Sequence, residues 1–147
     1  MTEERAVLAG LNLVVTDMAK TVEFYRRLGL EIDDSNPWNS HHVTAAMPNG
    51  FELEFDSVEL ADSYDPEGGQ TFEDAVRNVM VFSMPSRQAV DDLYRELTDA
   101  GYAAHQPPYD AFWGARYAVV DDPDGNFVGL MSPSDDAHKS TPPPLEA

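Results

Sequence analysis

The chain has 147 residues, 42% of them apolar, which is enough for one compact domain with a hydrophobic core. The absence of cysteine excludes disulfides, thiolate metal sites and cysteine nucleophiles. A formal net charge of -18 repels nucleic acid and anionic membranes and attracts cations, including cationic small molecules. No apolar run is long enough to span a bilayer, and the N-terminus lacks the order of a signal peptide, so we expect a cytoplasmic protein.

Residues 10 to 56 are predicted to form a strand, a helix, a short strand and a hairpin. The first strand spans Leu11 to Val15, and Asp17 is a good N-cap for the helix, which ends at Gly29. The apolar stripe of this helix recurs at helical spacing and comprises Met18, Val22, Tyr25 and Leu28. The hairpin turns at Pro48-Asn49-Gly50, where glycine supplies a positive φ.

The last strand of this hairpin has two chemically different faces. Side chains alternate along a strand, so Phe51, Leu53 and Phe55 point one way. The other face carries three carboxylates, Glu52, Glu54 and Asp56. We expect the aromatic face to meet the helix and the carboxylates to face a cavity or solvent.

The second half repeats this order after a long acidic connection at residues 57–77. Val79 to Phe82 form a strand, Pro85-Ser86 open a helix that ends at Gly101, and a hairpin turns at Asp122-Pro-Asp-Gly. The helix stripe comprises Val90, Leu93, Tyr94 and Leu97, and the hairpin strands comprise Tyr117 to Val120 and Phe127 to Met131. Residues 134–147 lack apolar periodicity and are expected to form a flexible tail.

Several segments resemble one known superfamily. Leu11-Asn-Leu-Val-Val-Thr-Asp-Met, Val22-Glu-Phe-Tyr-Arg-Arg-Leu-Gly-Leu and Asp122-Pro-Asp-Gly-Asn-Phe-Val-Gly-Leu-Met are similar to segments of vicinal oxygen chelate (VOC) proteins. That superfamily includes glyoxalase I, bleomycin-resistance proteins and extradiol dioxygenases. The resemblance implies an α+β fold of two tandem βαβββ modules that form a curved mixed-sheet cup with helices on its outer face, and commonly a homodimer. We expect a single VOC domain at 1–133, with modules at about 9–56 and 78–133.

The resemblance also implies four positions for metal ligands, usually His, Gln or Glu. We place these positions at Gly10, Glu54, Asn78 and Gly129. An open transition-metal site needs about three protein donors, and of these residues only Glu54 is a strong one. We therefore predict that the chain binds no metal and no cofactor.

The histidines offer one alternative. His41 and His42 are adjacent and should point to opposite faces of a strand. His105 lies before Gln106-Pro107-Pro108, and a rebuilt metal site of His105, Glu54 and one of the two adjacent histidines stays open. No strained serine elbow and no phosphate-binding glycine loop is present.

Aromatic and charged residues are the remaining candidates for ligand binding. Aromatic walls bind planar or cationic ligands, and carboxylates add charge complementarity. The predicted ligand-binding residues are Trp38, His42, Glu52, Glu54, Asn78, Tyr109, Trp113 and Arg116. Phe112 and Tyr117 lie in the same aromatic stretch, and Arg116 could pair with local carboxylates instead.

Two functional hypotheses follow. The first is a metal-free, homodimeric protein of the resistance type that binds a cationic or aromatic natural product and catalyses no reaction. The second is an enzyme of the VOC type, a lyase, isomerase or dioxygenase, with a divergent metal site or with Glu54 as general base. The sequence names no ligand, does not decide between these hypotheses and does not show whether modules are exchanged between subunits.

Overall fold

The computed structural model of the protein describes residues 8–60, 78–142 and 144. It contains two compact units, Met1–Glu73 and Asp74–Ala147, each with one four-stranded sheet. Each unit has the element order βαβββ, so the predicted α+β fold of two such modules is confirmed. No helix in the described ranges is long and apolar enough to cross a membrane.

The first unit combines a mixed sheet with a helix that follows its first strand. Its elements are β1 (Gly10–Val15), α1 (Met18–Arg27), β2 (Glu31–Asp33), β3 (His42–Ala46) and β4 (Glu52–Ser57). The sheet order is β1-β4-β3-β2, with β1 parallel to β4 and the other pairs antiparallel. The side chain of Asp17 accepts a hydrogen bond of 3.0 Å from the backbone N–H of Lys20, as expected for the N-cap.

The core of this unit lies between α1 and one face of the sheet. Phe24 and Tyr25 of α1 are fully buried, and Tyr25 packs against Phe55 of β4 with ring centroids 4.9 Å apart. Leu53 and Phe55 are 3% and 0% exposed, so this face of β4 meets the helix as predicted.

The second unit repeats the arrangement. Its elements are β5 (Val79–Ser83), α2 (Arg87–Asp99), β6 (Ala104–Asp110), β7 (Arg116–Asp121) and β8 (Phe127–Met131). The sheet order is β5-β8-β7-β6, and Ser86 caps α2 by accepting from the N–H of Ala89 at 3.1 Å. The register of β6 shifts between Ala104 and Tyr109. Pro107 and Pro108 lie in this stretch and have no N–H to donate to a neighbouring strand.

The described part of the predicted tail bonds to the second unit. Asp135 N–H donates to the Gly114 carbonyl and Ser140 N–H to the Phe112 carbonyl, each at 3.0 Å. Asp136–His138 form a short 3-10 helix. At the start of the predicted acidic connection, Ser57 is the last residue of β4, and residues 61–77 of that connection lie outside the described residues.

Candidate functional site

The sheet of the first unit presents a polar surface on the side away from α1, here named the carboxylate face. Strand register places its members side by side, since Asn12 and Thr44 both pair with Glu54 and His42 pairs with Asp56. The carboxylate face comprises Asn12, His42, Thr44, Glu52, Glu54 and Asp56. Glu52 is exposed and Glu54 is half-buried. Both predicted acidic site residues therefore lie on one surface with His42.

A chain of hydrogen bonds connects four residues of the carboxylate face. Asp56 is only 2% exposed, and its two carboxylate oxygens lie 3.0 Å from Asn12 Nδ2 and 2.6 Å from His42 Nδ1. The other ring nitrogen of His42, Nε2, lies 3.3 Å from Thr44 Oγ1. The sequence did not predict these hydrogen bonds, because they depend on the register between β3 and β4.

His41 and Trp38 lie apart from this chain. His41 Nδ1 is 2.8 Å from Ser57 Oγ, and Ser57 shares the helix side of β4 with Phe55. The Trp38 ring is 63% exposed and contacts the His41 ring at a centroid distance of 6.5 Å. The two adjacent histidines thus point to opposite faces as predicted, and Trp38 accompanies His41 instead of lining one surface with His42.

The sheet of the second unit carries an aromatic surface on the side away from α2, here named the aromatic face. Its members are Tyr109, Trp113, Tyr117 and Phe127. The Tyr117 ring centroid lies 6.1 Å from that of Tyr109 and 5.6 Å from that of Trp113. Tyr109 is 39% exposed, so the cluster is open at one side.

The Tyr117 ring covers Gly129. A Cβ built on Gly129 would lie 2.8 Å from the Tyr117 hydroxyl, closer than real Cβ atoms come, and 3.2 Å from its ring, which is tighter than most real contacts. Tyr117 is held between Tyr109 and Trp113, so it cannot move aside without disturbing both rings. Gly129 is therefore the residue that leaves room for Tyr117.

The Tyr117 phenol should lose its proton at a higher pH than an ordinary tyrosine does. Burial, together with the neighbouring Tyr109, raises the pKa of the Tyr117 phenol above its ordinary value of about 10. The native state thus holds the phenol proton more tightly than the unfolded chain. This contribution to stability is complete below the unfolded pKa and is lost as pH rises through the folded pKa. The ultraviolet titration of the wild type minus that of Y117F should have a midpoint above pH 10, and a midpoint at or below that pH would contradict the placement of the ring.

One carboxylate lies on the same side of β7 as Tyr117, four residues further along. Asp121 pairs with Phe127, and its Oδ1 atom is buried without a hydrogen-bond partner in the part of the chain that the structure describes. His105 Nδ1 is 3.8 Å from this atom, and the His105 ring stacks on Phe127 at a centroid distance of 4.1 Å. Asp121 was not among the predicted site residues, although alternation along β7 from Tyr117 places it on this side of the strand.

Arg116 has a structural role on the opposite side of β7. Its Nε atom donates to Asp91 of α2 at 2.8 Å, and its Nη1 atom donates to Asp110 of β6 at 3.2 Å. The hydrogen bond with Asp91 is the main cause that raises the pKa of the Arg116 guanidinium. Arg116 therefore pairs with local carboxylates, the alternative stated above, and alternation turns its side chain to the helix side with Ala118 and Val120, away from the aromatic residues.

Asn78 is also misplaced by the sequence prediction. Gly10 pairs with Glu52, two residues before Glu54, and Val79 pairs with Phe127, two residues before Gly129. The equivalent of Gly10 is therefore Val79. Asn78 immediately precedes β5, one residue out of phase with the surface that carries Gly129.

The residues at the family's ligand positions do not fit a catalytic metal. Of the two predicted ligand positions in the first unit, Glu54 has a side chain that can bind a metal and Gly10 has no side chain. A Cβ built on Gly10 would lie 2.8 Å from the Glu52 carbonyl oxygen. The second unit offers Val79 and Gly129, which supply no donor. Within residues 8–60, 78–142 and 144, no three His, Asp or Glu side chains are grouped as a metal site requires. Within the second unit, the carboxylate nearest to His105 Nδ1 is Asp121, whose Oδ1 atom lies 3.8 Å away.

Comparisons with known proteins agree with the fold. A solved glyoxalase/bleomycin resistance protein/dioxygenase family enzyme from Burkholderia phytofirmans PsJN is 20% identical with a TM-score of 0.74, and the match covers 86% of this chain and 98% of that chain. A glyoxalase/bleomycin resistance protein/dioxygenase from Nocardioides is 25% identical with a TM-score of 0.70, covering 99% and 93%. Lactoylglutathione lyase from Agrobacterium tumefaciens is 17% identical with a TM-score of 0.64, covering 88% and 96%.

No curated protein matches the chain. The sequence profile of the Glyoxalase/Bleomycin resistance protein/Dioxygenase superfamily matches residues 7–130. This match extends from before β1 to the penultimate residue of β8 and includes both βαβββ units. The chain belongs to the Glyoxalase/Bleomycin resistance protein/Dioxygenase superfamily.

Proposed function

We propose that the protein is a metal-free binding protein for a cationic aromatic small molecule, and that the aromatic face of the second unit holds the planar part of the ligand. The packing of Tyr117 over Gly129 carries this proposal. That packing puts an aromatic ring over Gly129, one of the positions that the resemblance assigns to a metal ligand, and it leaves Tyr109 exposed for stacking.

Asp121 supports a cationic ligand. Its side chain is 27% exposed on the same side of β7 as Tyr117, so an ammonium or amidinium group on a ligand can reach the accessible part of the carboxylate. Tyr117 and Asp121 are four residues apart on one strand, which corresponds to about 13 Å, the length of a fused three-ring system with a charged substituent. The net charge of -18 adds long-range attraction for such cations.

Proflavine and acridine form a suitable probe pair, because both have three fused rings but only proflavine is cationic at pH 8. We expect proflavine to raise the melting temperature by mass action and acridine to raise it less. W113A should weaken the binding of both compounds. D121N should weaken the binding of proflavine about ten- to a hundredfold and leave the binding of acridine unchanged, since a charge-assisted hydrogen bond contributes roughly 1.5 to 3 kcal/mol.

The first unit supplies a matched control. W38A removes an aromatic side chain that is 63% exposed and accompanies His41, so both probes should bind this variant as they bind the wild type. Equal binding of both probes to D121N and the wild type would refute the role of Asp121. The absence of any thermal shift with a broad panel of aromatic cations would refute the proposed function.

Elemental analysis provides a separate test of the metal-free proposal. Protein purified without chelator and without an affinity metal should contain well under one equivalent of zinc, nickel, iron or manganese. Glu54 alone cannot hold a transition metal against water. Near-stoichiometric metal that survives dialysis would contradict the proposal.

We further propose that the protein is a homodimer. Val79 and Val81 lie on β5, an edge strand of its sheet, and are 44% and 50% exposed. An apolar edge of this kind gains stability when a partner covers it. Light scattering should give twice the chain mass of 16.3 kDa, and the mass of one chain at micromolar concentration would argue against a dimer.

A further inference from the structure

The hydrogen-bond chain on the carboxylate face ends at a hydroxyl group. Asp56 is buried and, as a carboxylate, only accepts hydrogen bonds, so the proton between Asp56 and His42 resides on His42 Nδ1 at 2.6 Å. Asn12 donates to the second oxygen of Asp56 and fixes the carboxylate plane. In the neutral imidazole, Nε2 then carries the lone pair, and it lies 3.3 Å from Thr44 Oγ1.

This arrangement has the three parts of an activated nucleophile: a hydroxyl, a base within hydrogen-bond reach, and an acidic group that orients the base. We propose that Thr44, His42 and Asp56 form an acyl-transfer site that cleaves small esters. The proposal goes beyond the proposed binding function and uses residues of the first unit only.

The chemical step follows from the positions of these atoms. Thr44 Oγ1 forms a bond to the ester carbonyl carbon while its proton passes to His42 Nε2, and the carbonyl electron pair moves onto oxygen. Asp56 stabilises the imidazolium through Nδ1–H. When the carbonyl reforms, the bond to the alkoxide breaks and Nε2–H protonates the leaving alcohol. Water, deprotonated by the same imidazole, then forms a bond to the acyl carbon. The bond to Thr44 Oγ1 breaks as Nε2–H returns the proton to that oxygen, and the acid is released.

The surroundings of Thr44 select the ester. Glu54 pairs directly with Thr44 across β3 and β4, and Asp33 pairs with it from β2. Glu54 is half-buried and Asp33 is exposed. An ester with a cationic alcohol portion is attracted by these carboxylates, whereas an anionic ester is repelled. The His42 side chain is 38% exposed, so a small molecule can reach it.

Steady-state hydrolysis of acetylcholine and of its neutral carbon analogue, 3,3-dimethylbutyl acetate, tests the proposal. Both esters should be cleaved with saturation, and H42Q and T44V should lower kcat about a hundredfold, in the range of general-base assistance. H41Q is the matched control, because the adjacent His41 bonds to Ser57 on the helix side. That variant should keep the wild-type rate. Wild-type rates in folded H42Q or T44V would overturn the proposal.

Mass spectrometry of the wild type keeps the proposal testable if those variants do not fold. After a short reaction and acid quench, the peptide containing Thr44 should carry one acetyl group. The chain has only two lysines, Lys20 and Lys139, so background acylation is easily separated. Acetylation confined to the lysines would refute the proposal. Proflavine binding measured on the same H42Q and T44V samples should be unchanged, which separates failure of this site from failure of the proposed function.

Discussion

Replacement of Gly129 by glutamate is expected to destabilise the second unit by about 1 to 3 kcal/mol without creating a metal site. The new Cβ would lie 2.8 Å from the Tyr117 hydroxyl, and the Tyr117 ring is packed against Tyr109 and Trp113. The chain has two tryptophans, Trp38 in the first unit and Trp113 in the second. Urea unfolding of G129E in a W38F background, followed by Trp113 fluorescence, therefore reports on the second unit.

A104E and Y117A are the controls for this experiment. Ala104 is exposed on β6, so A104E adds the same carboxylate in contact with solvent and should change stability by no more than about 0.5 kcal/mol. Y117A removes the obstructing ring, so the effect of G129E should be smaller in the Y117A background than in the wild type. Equal destabilisation in both backgrounds would show that Tyr117 is not the cause.

Much of the fold could be predicted because local signals agree with one another. Asp17 and Ser86 cap the two helices where the sequence placed the helix starts. Gly50 and Gly125 adopt φ values of 85° and 83°, as the hairpin turns require. Each of these features depends only on residues a few positions apart in the sequence, so it could be predicted without knowledge of the tertiary structure.

The candidate site was harder to predict because it depends on register and packing. His42 and Asp56 are cross-strand partners, and each lies seven residues from Asn49 in the hairpin turn. Counting outward from the turn predicts such pairs only when the turn type is known. An error of one residue placed Asn78 where Val79 lies. The position of Tyr117 over Gly129 depends on how neighbouring rings pack, and no sequence pattern encodes that contact.

Substitutions at two adjacent residues of β4 should have very different effects on stability, because neighbouring side chains of a strand point to opposite faces of the sheet. Phe55 is fully buried with its ring 4.9 Å from that of Tyr25, so F55A should destabilise the first unit by about 3 to 5 kcal/mol through lost burial and the cavity left behind. Glu54 is half-buried on the carboxylate face, so E54Q, which keeps the volume and removes only the charge, should change stability by no more than about 0.5 kcal/mol.

A W113F background makes Trp38 fluorescence the reporter for both variants, because Trp38 belongs to the first unit. The two variants should also differ in function. E54Q should weaken the selection of cationic over neutral esters while its urea midpoint stays near that of the parent, because only the charge beside Thr44 changes. F55A should lower the urea midpoint and leave this selection intact below the unfolding transition. Equal destabilisation by E54Q and F55A would contradict the assignment of faces, on which the carboxylate face and the proposed Thr44 site both depend.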